Sequence, residues 1–292
     1  ENLCTKKFNS KSFGIHSLHE NRITNYDNFE DFKYFFNHNQ TNQTNHDNTN
    51  NLKKCILVYQ DNYKMLEDYL LSLNIFDKFI EFNNFSFDIF NQSNSIYYFV
   101  ETLQTNKNWI FKKLNKKILN SQKIVYLNTE MLTENNRLSN LSNYVENNIP
   151  IVDYSIANIE IIKNNLNYNN VYSFPYQFNK IENNLIKNNL NEYEYDIGII
   201  NAFIKKDSSN TDNLIYKRNN IWLELKKYKN LKIKNILGWG KNRDIIIKKC
   251  KIILNIHHFS CFNIFEHIRC DRLLFANKII ISEYSHLYNN LD

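Results

Sequence analysis

Glycine and proline are nearly absent, with 4 and 2 residues in a chain of 292. That excludes a collagen-like or Pro-rich linker protein. No run of about 18 apolar residues exists, so nothing in the sequence reads as a membrane-spanning helix. No signal peptide is visible. Five cysteines are present (Cys4, Cys55, Cys250, Cys261 and Cys270), an odd number without a CxxC pair. No Cys/His pair has ligand spacing, so a zinc site has no support. Cys55 and Cys250 lie beside apolar strand-like runs, so reduced, buried thiols and a cytoplasmic location are expected. There is neither a GxGxxG nor a GxxxxGKS/T, which removes support for a dinucleotide oxidoreductase or a P-loop ATPase.

What is present is a globular composition. Hydrophobic residues make up 42% and aromatics 15%, enough for one large domain or two ordinary ones. Asn is over-used, at roughly one residue in five or six. With abundant Lys, Ile and Tyr, that bias points to an AT-rich genome, such as that of a large DNA virus, and a viral chain would act in the host cytoplasm. The net charge is +6 and reads as spread along the chain. Lys112-Lys113 and Lys116-Lys117 sit at helical spacing as solvated faces, so charge alone does not argue for a nucleic-acid partner. The first residue is Glu1 rather than Met, so the chain reads as a fragment of something longer.

Residues 1–51 read as an N-terminal extension, with a short helix near 28–37 and an Asn-rich linker over 37–51. From Lys53 onward, apolar runs alternate with helical spacing. Strands are expected at 55–60, 78–82, 95–101, 123–130, 149–155 and 170–178, with helices at 63–76, 108–120, 138–148 and 156–165. The second half repeats the scheme. Strands are expected at 195–201, 231–240, 251–258 and 278–283, with helices at 214–228, 242–250 and 265–277. Strands alternating with helices imply βαβ units and parallel sheets. The expected architecture is α/β, with Rossmann-like domains over 52–178 and 179–292 and an Asn-rich connection near 179–194. The chain stops soon after its last strand, so the second domain is expected to be incomplete.

In open parallel sheets, ligands bind beyond the carboxyl ends of the strands. In the second half those ends carry Asn201-Ala202, Gly238-Trp239-Gly240, His257-His258 and Ser282-Glu283. Three of the 4 glycines (Gly198, Gly238 and Gly240) lie in or at these strands. They suggest a cradle for an anionic group, although Gly238 and Gly240 also suit a plain turn. Glu266 fits a capping box with Asn263 as N-cap, and it can pair with Arg269 at i,i+3. Neither role conflicts with a phosphate at the same helix N-terminus. Glu283 closes a buried strand and has to be solvated, paired or bound to ligand hydroxyls.

The order of these segments resembles the GT-B-type glycosyltransferases, close to the group 1 and CgeB-like members. The matching pieces are YDIGIIN (195–201), LGWGKNRDIIIKKCKIILNIHHF (237–259) and IFEHIRCDRLLFANKIIISE (264–283), with YLNTEMLT (126–133), VDYSIANIEIIKNN (152–165) and VYSFPYQF (171–178) in the first half. The resemblance covers roughly residues 52–285 and implies two domains facing a cleft. It implies transfer of a sugar from a UDP- or GDP-sugar to a glycan or protein acceptor, with no cofactor and no metal; the chain has no DxD. By the resemblance, the donor-binding residues are Asn201, Gly238, Trp239, Arg243, His257, Arg269, Ser282 and Glu283. Arg272 is a further candidate cation. Glu266 is the catalytic candidate on the donor side. Thr129-Glu130 and Tyr154-Ser155 would face the cleft from the other domain, with Glu130 or Asp153 as the base of an inverting reaction. The commoner pattern has a second Glu eight positions after the first; here that position is Leu274, and the nearest carboxylate is Asp271. The competing expectation is a catalytically degenerate module that binds a glycan or a partner within a larger protein.

Overall fold

The computed structural model describes residues 13–16, 54–59, 63–86, 90, 95–100, 114, 123–132, 135–176, 193–200, 216–238, 240–257 and 264–285. The helix read at 28–37, the linker at 37–51 and most of the connection at 179–194 lie outside the described residues, and of the helix read at 108–120 only Leu114 is described. The chain is α/β and divides into two compact units. One comprises Glu20–Tyr63 and Leu73–Pro175; the other comprises Glu1–His19, Lys64–Ser72 and Tyr176–Asp292.

Strand β1 (Phe13–His16) belongs to the second unit. The first unit holds β2 (Lys54–Tyr59), β3 (Lys78–Glu81), β4 (Ser95–Val100), β5 (Ile124–Asn128), β6 (Ile151–Asp153) and β7 (Val171–Ser173). They form one wholly parallel sheet in the order β3-β2-β4-β5-β6-β7. Its described helices are α2 (Asn135–Glu146) and α3 (Ile156–Leu166). The helix α1 (Tyr63–Leu73) follows β2 in sequence, yet Lys64–Ser72 is counted with the other unit. Strands covered on both faces need apolar residues at every position. Accordingly β4 (SIYYFV) and β5 (IVYLN) are buried along their whole length. Tyr97, Phe99 and Tyr126 are fully buried in one core with Tyr144 and Ile151, each large side chain stabilising by about 1.5–3 kcal/mol.

The second unit holds β8 (Tyr195–Ile200), β9 (Ile233–Ile236), β10 (Cys250–Asn255) and β11 (Ile279–Glu283), in the order β1-β11-β10-β8-β9. The last four are mutually parallel. Strand β1 joins antiparallel, with Phe13 opposite Glu283 and His16 opposite Ile280. The weak periodicity of residues 1–50 gave no hint of that strand. Among the described residues, helices α4 (Tyr216–Leu225), α5 (Gly240–Lys248) and α6 (His267–Phe275) also belong to this unit. One apolar cluster gathers Ile236, Ile253, Ile280, Leu273 and Phe265. A second gathers Ile199, Leu254 and Ile256 with Trp222 and Leu225 of α4. Among the described residues, no helix is long and apolar enough to cross a membrane.

A chain this poor in Gly has to end its helices another way. Asn74, Asn148, Asn167 and Asn277 all have left-handed φ, between 49 and 57°, and each lies just beyond a helix. Asn is the best substitute for Gly in that conformation. At the end of α2, Asn148 N–H donates to Val145 O at 3.0 Å and Ile149 N–H donates to Tyr144 O at 2.9 Å. At the end of α6, Asn277 N–H donates to Leu274 O and Lys278 N–H to Leu273 O, both at 2.9 Å. Both are Schellman stops, and Ile149 is buried with Tyr144, as that motif prefers. Replacing Asn148 with Val forces a β-branched side chain into left-handed backbone and should cost about 1–2 kcal/mol. Asn148→Gly should be neutral or stabilising. Urea unfolding of the two variants beside the parent checks both signs.

Candidate functional site

In the second unit, β8 to β9 runs one way across the sheet, and β10 and β11 lie on the other side of β8. The topological switch is therefore between β8 and β10, and in open parallel sheets it is the carboxyl ends at such a switch that ligands approach. Asn255 ends β10, and its register partner on β11 is Ser282. Asn255 Nδ2 donates to Ser282 Oγ at 3.0 Å, and its Oδ1 accepts from an Arg269 NH1 at 3.0 Å. Ser282 Oγ donates to the Glu283 carbonyl at 3.0 Å. The Glu283 carboxylate accepts the backbone N–H of His257 at 2.7 Å. The His257 ring meets Ser285 Oγ through Nε2 at 3.1 Å. Asn255, His257, Ser282, Glu283 and Ser285 are all buried.

Glu266 and Arg269 complete this network from α6. Helix α6 begins at His267, so Glu266 is itself the N-cap and makes no side-chain cap bond. That corrects the capping box read from Asn263. The cause is a nearer charge, because the Glu266 carboxylate closes on the Arg269 guanidinium at i,i+3. Arg269 NH1 thus holds two acceptors, Glu266 and Asn255. Its NH2 and Nε bond to none of the described residues. The Arg269 side chain keeps 24% of its surface exposed. The result is a cation fixed in position at the carboxyl edge, with donors to spare. On the same helix, His267 Nδ1 lies 3.1 Å from the Asp271 carboxylate.

Arg243 and Arg272 belong to a different network. Arg272 meets Asp244 through a two-pronged fork, NH1 to Oδ1 and NH2 to Oδ2, both at 2.8 Å. Its NH1 also reaches Asp68 of α1 at 2.6 Å, and Arg243 NH2 closes on the same Asp68 oxygen. Burial lowers the Arg243 pKa from its ordinary value, with Asp68 acting against that shift. Two cations and two carboxylates neutralise one another here, so these guanidiniums are engaged in holding α1, α5 and α6 together. The glycines also divide. A Cβ on Gly198 would meet Cys250 Sγ and Ile236 Cδ1 at 2.7 Å. It is a packing glycine in mid-strand, which corrects its assignment to an anion cradle. Gly238 (φ +84) and Gly240 (φ +62) have left-handed backbone, and a Cβ added at either would meet none of the described residues within 4 Å. Asn201 and Trp239 lie outside the described residues.

In the first unit, Asp153 ends β6 with no exposed surface. Its Oδ2 accepts from Asn128 Nδ2 at 2.5 Å; its Oδ1 accepts from Asn158 Nδ2 at 3.0 Å and Ser155 N–H at 2.8 Å. Asn158 also ties the Glu130 carbonyl and the Leu132 N–H. Asp153 is therefore the hub of the turn after β5, sealed from solvent by its own partners. Glu130 is half-buried and pairs with Arg137 at 2.9 Å. Sequence reading missed Asn255, Ser285, Asp244 and Asp68. Asn255 alone left a signal, as the first polar residue after the apolar run IIL at 252–254.

Two outcomes follow. Asp244→Ala leaves Arg272 buried without its fork and should cost about 3–5 kcal/mol. An Asp244→Leu/Arg272→Met double variant should recover much of that loss in urea unfolding. Burial also pushes the Cys250 thiol up to about 11 from 9.0. A raised pKa favours the protonated form in the native state. Its contribution to stability is complete below pH about 9 and is lost as the pH rises through about 11. Peptide-resolved alkylation across that window should label Cys250 in the native chain only near the upper limit, and near 9 in urea.

No family model matches the sequence, and no solved structure matches it. Three relatives are uncharacterized proteins of Acanthamoeba polyphaga mimivirus. One is 31% identical over 209 residues, spanning 70% of this chain and 21% of the relative. Another is 29% identical over 214 residues, 72% of this chain and 26% of the relative. This chain thus spans about a quarter or less of the length of those two. The third is 30% identical over 232 residues, 77% of this chain and 67% of the relative. These relationships fit the viral origin suggested by the Asn-rich composition. The extent of that last match shows that the chain belongs to the same protein family as this mimivirus relative.

Proposed function

We propose that the chain is a nucleotide-sugar-dependent glycosyltransferase of the GT-B type, acting without a metal. The observation that carries the reading is Arg269, oriented by Asn255 and Glu266 at the carboxyl edge with its remaining donors uncommitted among the described residues. A donor diphosphate there would meet a fixed guanidinium and the N-terminus of α6. Both offset the charge that grows on the leaving phosphate. The left-handed Gly238 and Gly240 would let backbone approach the same anion, and Ser282 and Glu283, buried behind the strand ends, would border the nucleotide or its ribose. In an inverting reaction, Glu130 is the better base, because Asp153 has no exposed surface. The donor is a UDP- or GDP-sugar and the acceptor a glycan or protein.

A second reading is favoured by that sealed Asp153 and by Leu274 at the second Glu position. It is a module that keeps the nucleotide-sugar site and has lost the transfer. Thermal shift of the 292-residue chain against UDP, GDP and their sugars separates the readings. Nucleotide diphosphate at a hundred times Kd should stabilise the chain by about 2.7 kcal/mol. Arg269→Gln should weaken that binding by roughly 10- to 100-fold. Slow hydrolysis of the bound nucleotide sugar identifies the enzyme, and binding without hydrolysis identifies the degenerate module. Absence of any shift with every nucleotide sinks both.

A further inference from the structure

The positive charge is not spread along the chain as the composition suggested. Residues 222–251 hold ten Lys or Arg and two acidic residues, a net +8, against +6 for all 292. The fold then concentrates it further. Parallel pairing puts the amino ends of β8, β9, β10 and β11 along one edge of the sheet and their carboxyl ends along the other. The Asn255–Arg269 network occupies the carboxyl edge. At the amino edge, Lys226, Lys227 and Lys229 follow α4, Lys232 precedes β9, Lys249 precedes β10, and Lys251 is the second residue of β10. All but the half-buried Lys249 are exposed.

Among the described residues, the acids on this edge are few and committed. Glu224 pairs with Lys227 at 2.6 Å and Glu194 with Lys249 at 2.7 Å. Asp196 accepts the backbone N–H of Lys232 at 2.8 Å. Lys229, Lys232 and Lys251 have no acidic partner among the described residues. Lys226 lies over the Trp222 ring at 4.9 Å. Tyr228, 59% exposed, stands between Lys227 and Lys229 in the chain. A helix dipole accounts for cations in or just after the last turn, as at Lys226 and Lys227. It does not account for Lys229, Lys232 and Lys251, which lie beyond the reach of that turn.

The chemistry of the patch selects its partner. The one Arg in the segment, Arg243, is buried against Asp68, so the described residues of this face offer no guanidinium fork for phosphates or base edges. Lysines are point charges that suit a surface of distributed negative charge. An exposed Tyr framed by Lys stems is the arrangement that settles at a headgroup boundary. We propose that the amino edge of this sheet docks on an anionic lipid bilayer surface, independently of what the carboxyl edge binds.

The test is co-sedimentation of the 292-residue chain with vesicles of phosphatidylcholine alone or mixed with phosphatidylserine. Binding should require the anionic lipid and weaken steeply with salt. A Lys226→Ala/Lys229→Ala/Lys232→Ala variant should bind about a hundredfold more weakly with an unchanged melting temperature, since each Lys near such a surface adds about fivefold. Tyr228→Ala should weaken it further, and Arg269→Gln should leave it unaltered. No binding to phosphatidylserine vesicles at low ionic strength overturns the proposal. So does binding of single-stranded or duplex nucleic acid through the same lysines while the vesicles are ignored.

Discussion

The fork between Arg272 and Asp244 governs the geometry of the second unit. It joins α6 to α5, and Asp68 extends it to α1. Two cations and two carboxylates have been taken largely out of water, which is costly for each ion singly. An apolar quartet of similar volume would stabilise the unit at least as well. What the charged version adds is direction, because a guanidinium fork meets a carboxylate in one plane. That fixes the rotation of α6 about its axis. Arg269 lies one turn before Arg272 on the same helix, so the rotation decides where its guanidinium points. The buried network and the exposed cation are in this sense one device.

A similar economy operates in the backbone. With 4 glycines in the chain, the left-handed positions that end helices fall to Asn. Each such Asn is strained relative to Gly, and at Asn148 and Asn277 the Schellman bonds offset that strain by satisfying carbonyls that would otherwise be orphaned. The composition, which looks like genomic bias, is thus compatible with sharp helix stops. One glycine is used where Asn would not serve. Gly198 allows Cys250 and Ile236 to approach the strand, and no side chain fits there.

Much of the α/β alternation was legible because its signals are local. Continuous apolar runs such as SIYYFV and helical spacing such as YKMLEDYLLSL identify buried strands and amphipathic helices within a few residues. The site was legible only in part, because its partners are remote in sequence. Asp68 lies 175 positions from Arg243 and 204 from Arg272. No spacing rule could show that these arginines were already occupied. Glu266 was open to misreading for the opposite reason. A cap and an i,i+3 ion pair are both local, and sequence alone does not say which the carboxylate prefers. Gly198 failed because a count of glycines does not distinguish an open turn from a filled core.

A parallel sheet has two chemically different edges, and this one uses them differently. At the carboxyl edge, the proposed function has the N-terminus of α6 and the fixed Arg269 acting over a few ångströms on one anion. Here specificity comes from orientation, so a single well-held cation is worth more than several mobile ones. At the amino edge, the lysines are long, exposed and separately anchored. Each adds a little to a field that decays over about 8–10 Å, and none needs a fixed geometry. The two edges are separated by strands of five or six residues, roughly 15–20 Å. That exceeds the screening length. Charge bound at one edge therefore leaves the other nearly unaffected, and attachment and ligand binding can proceed on one sheet without competing.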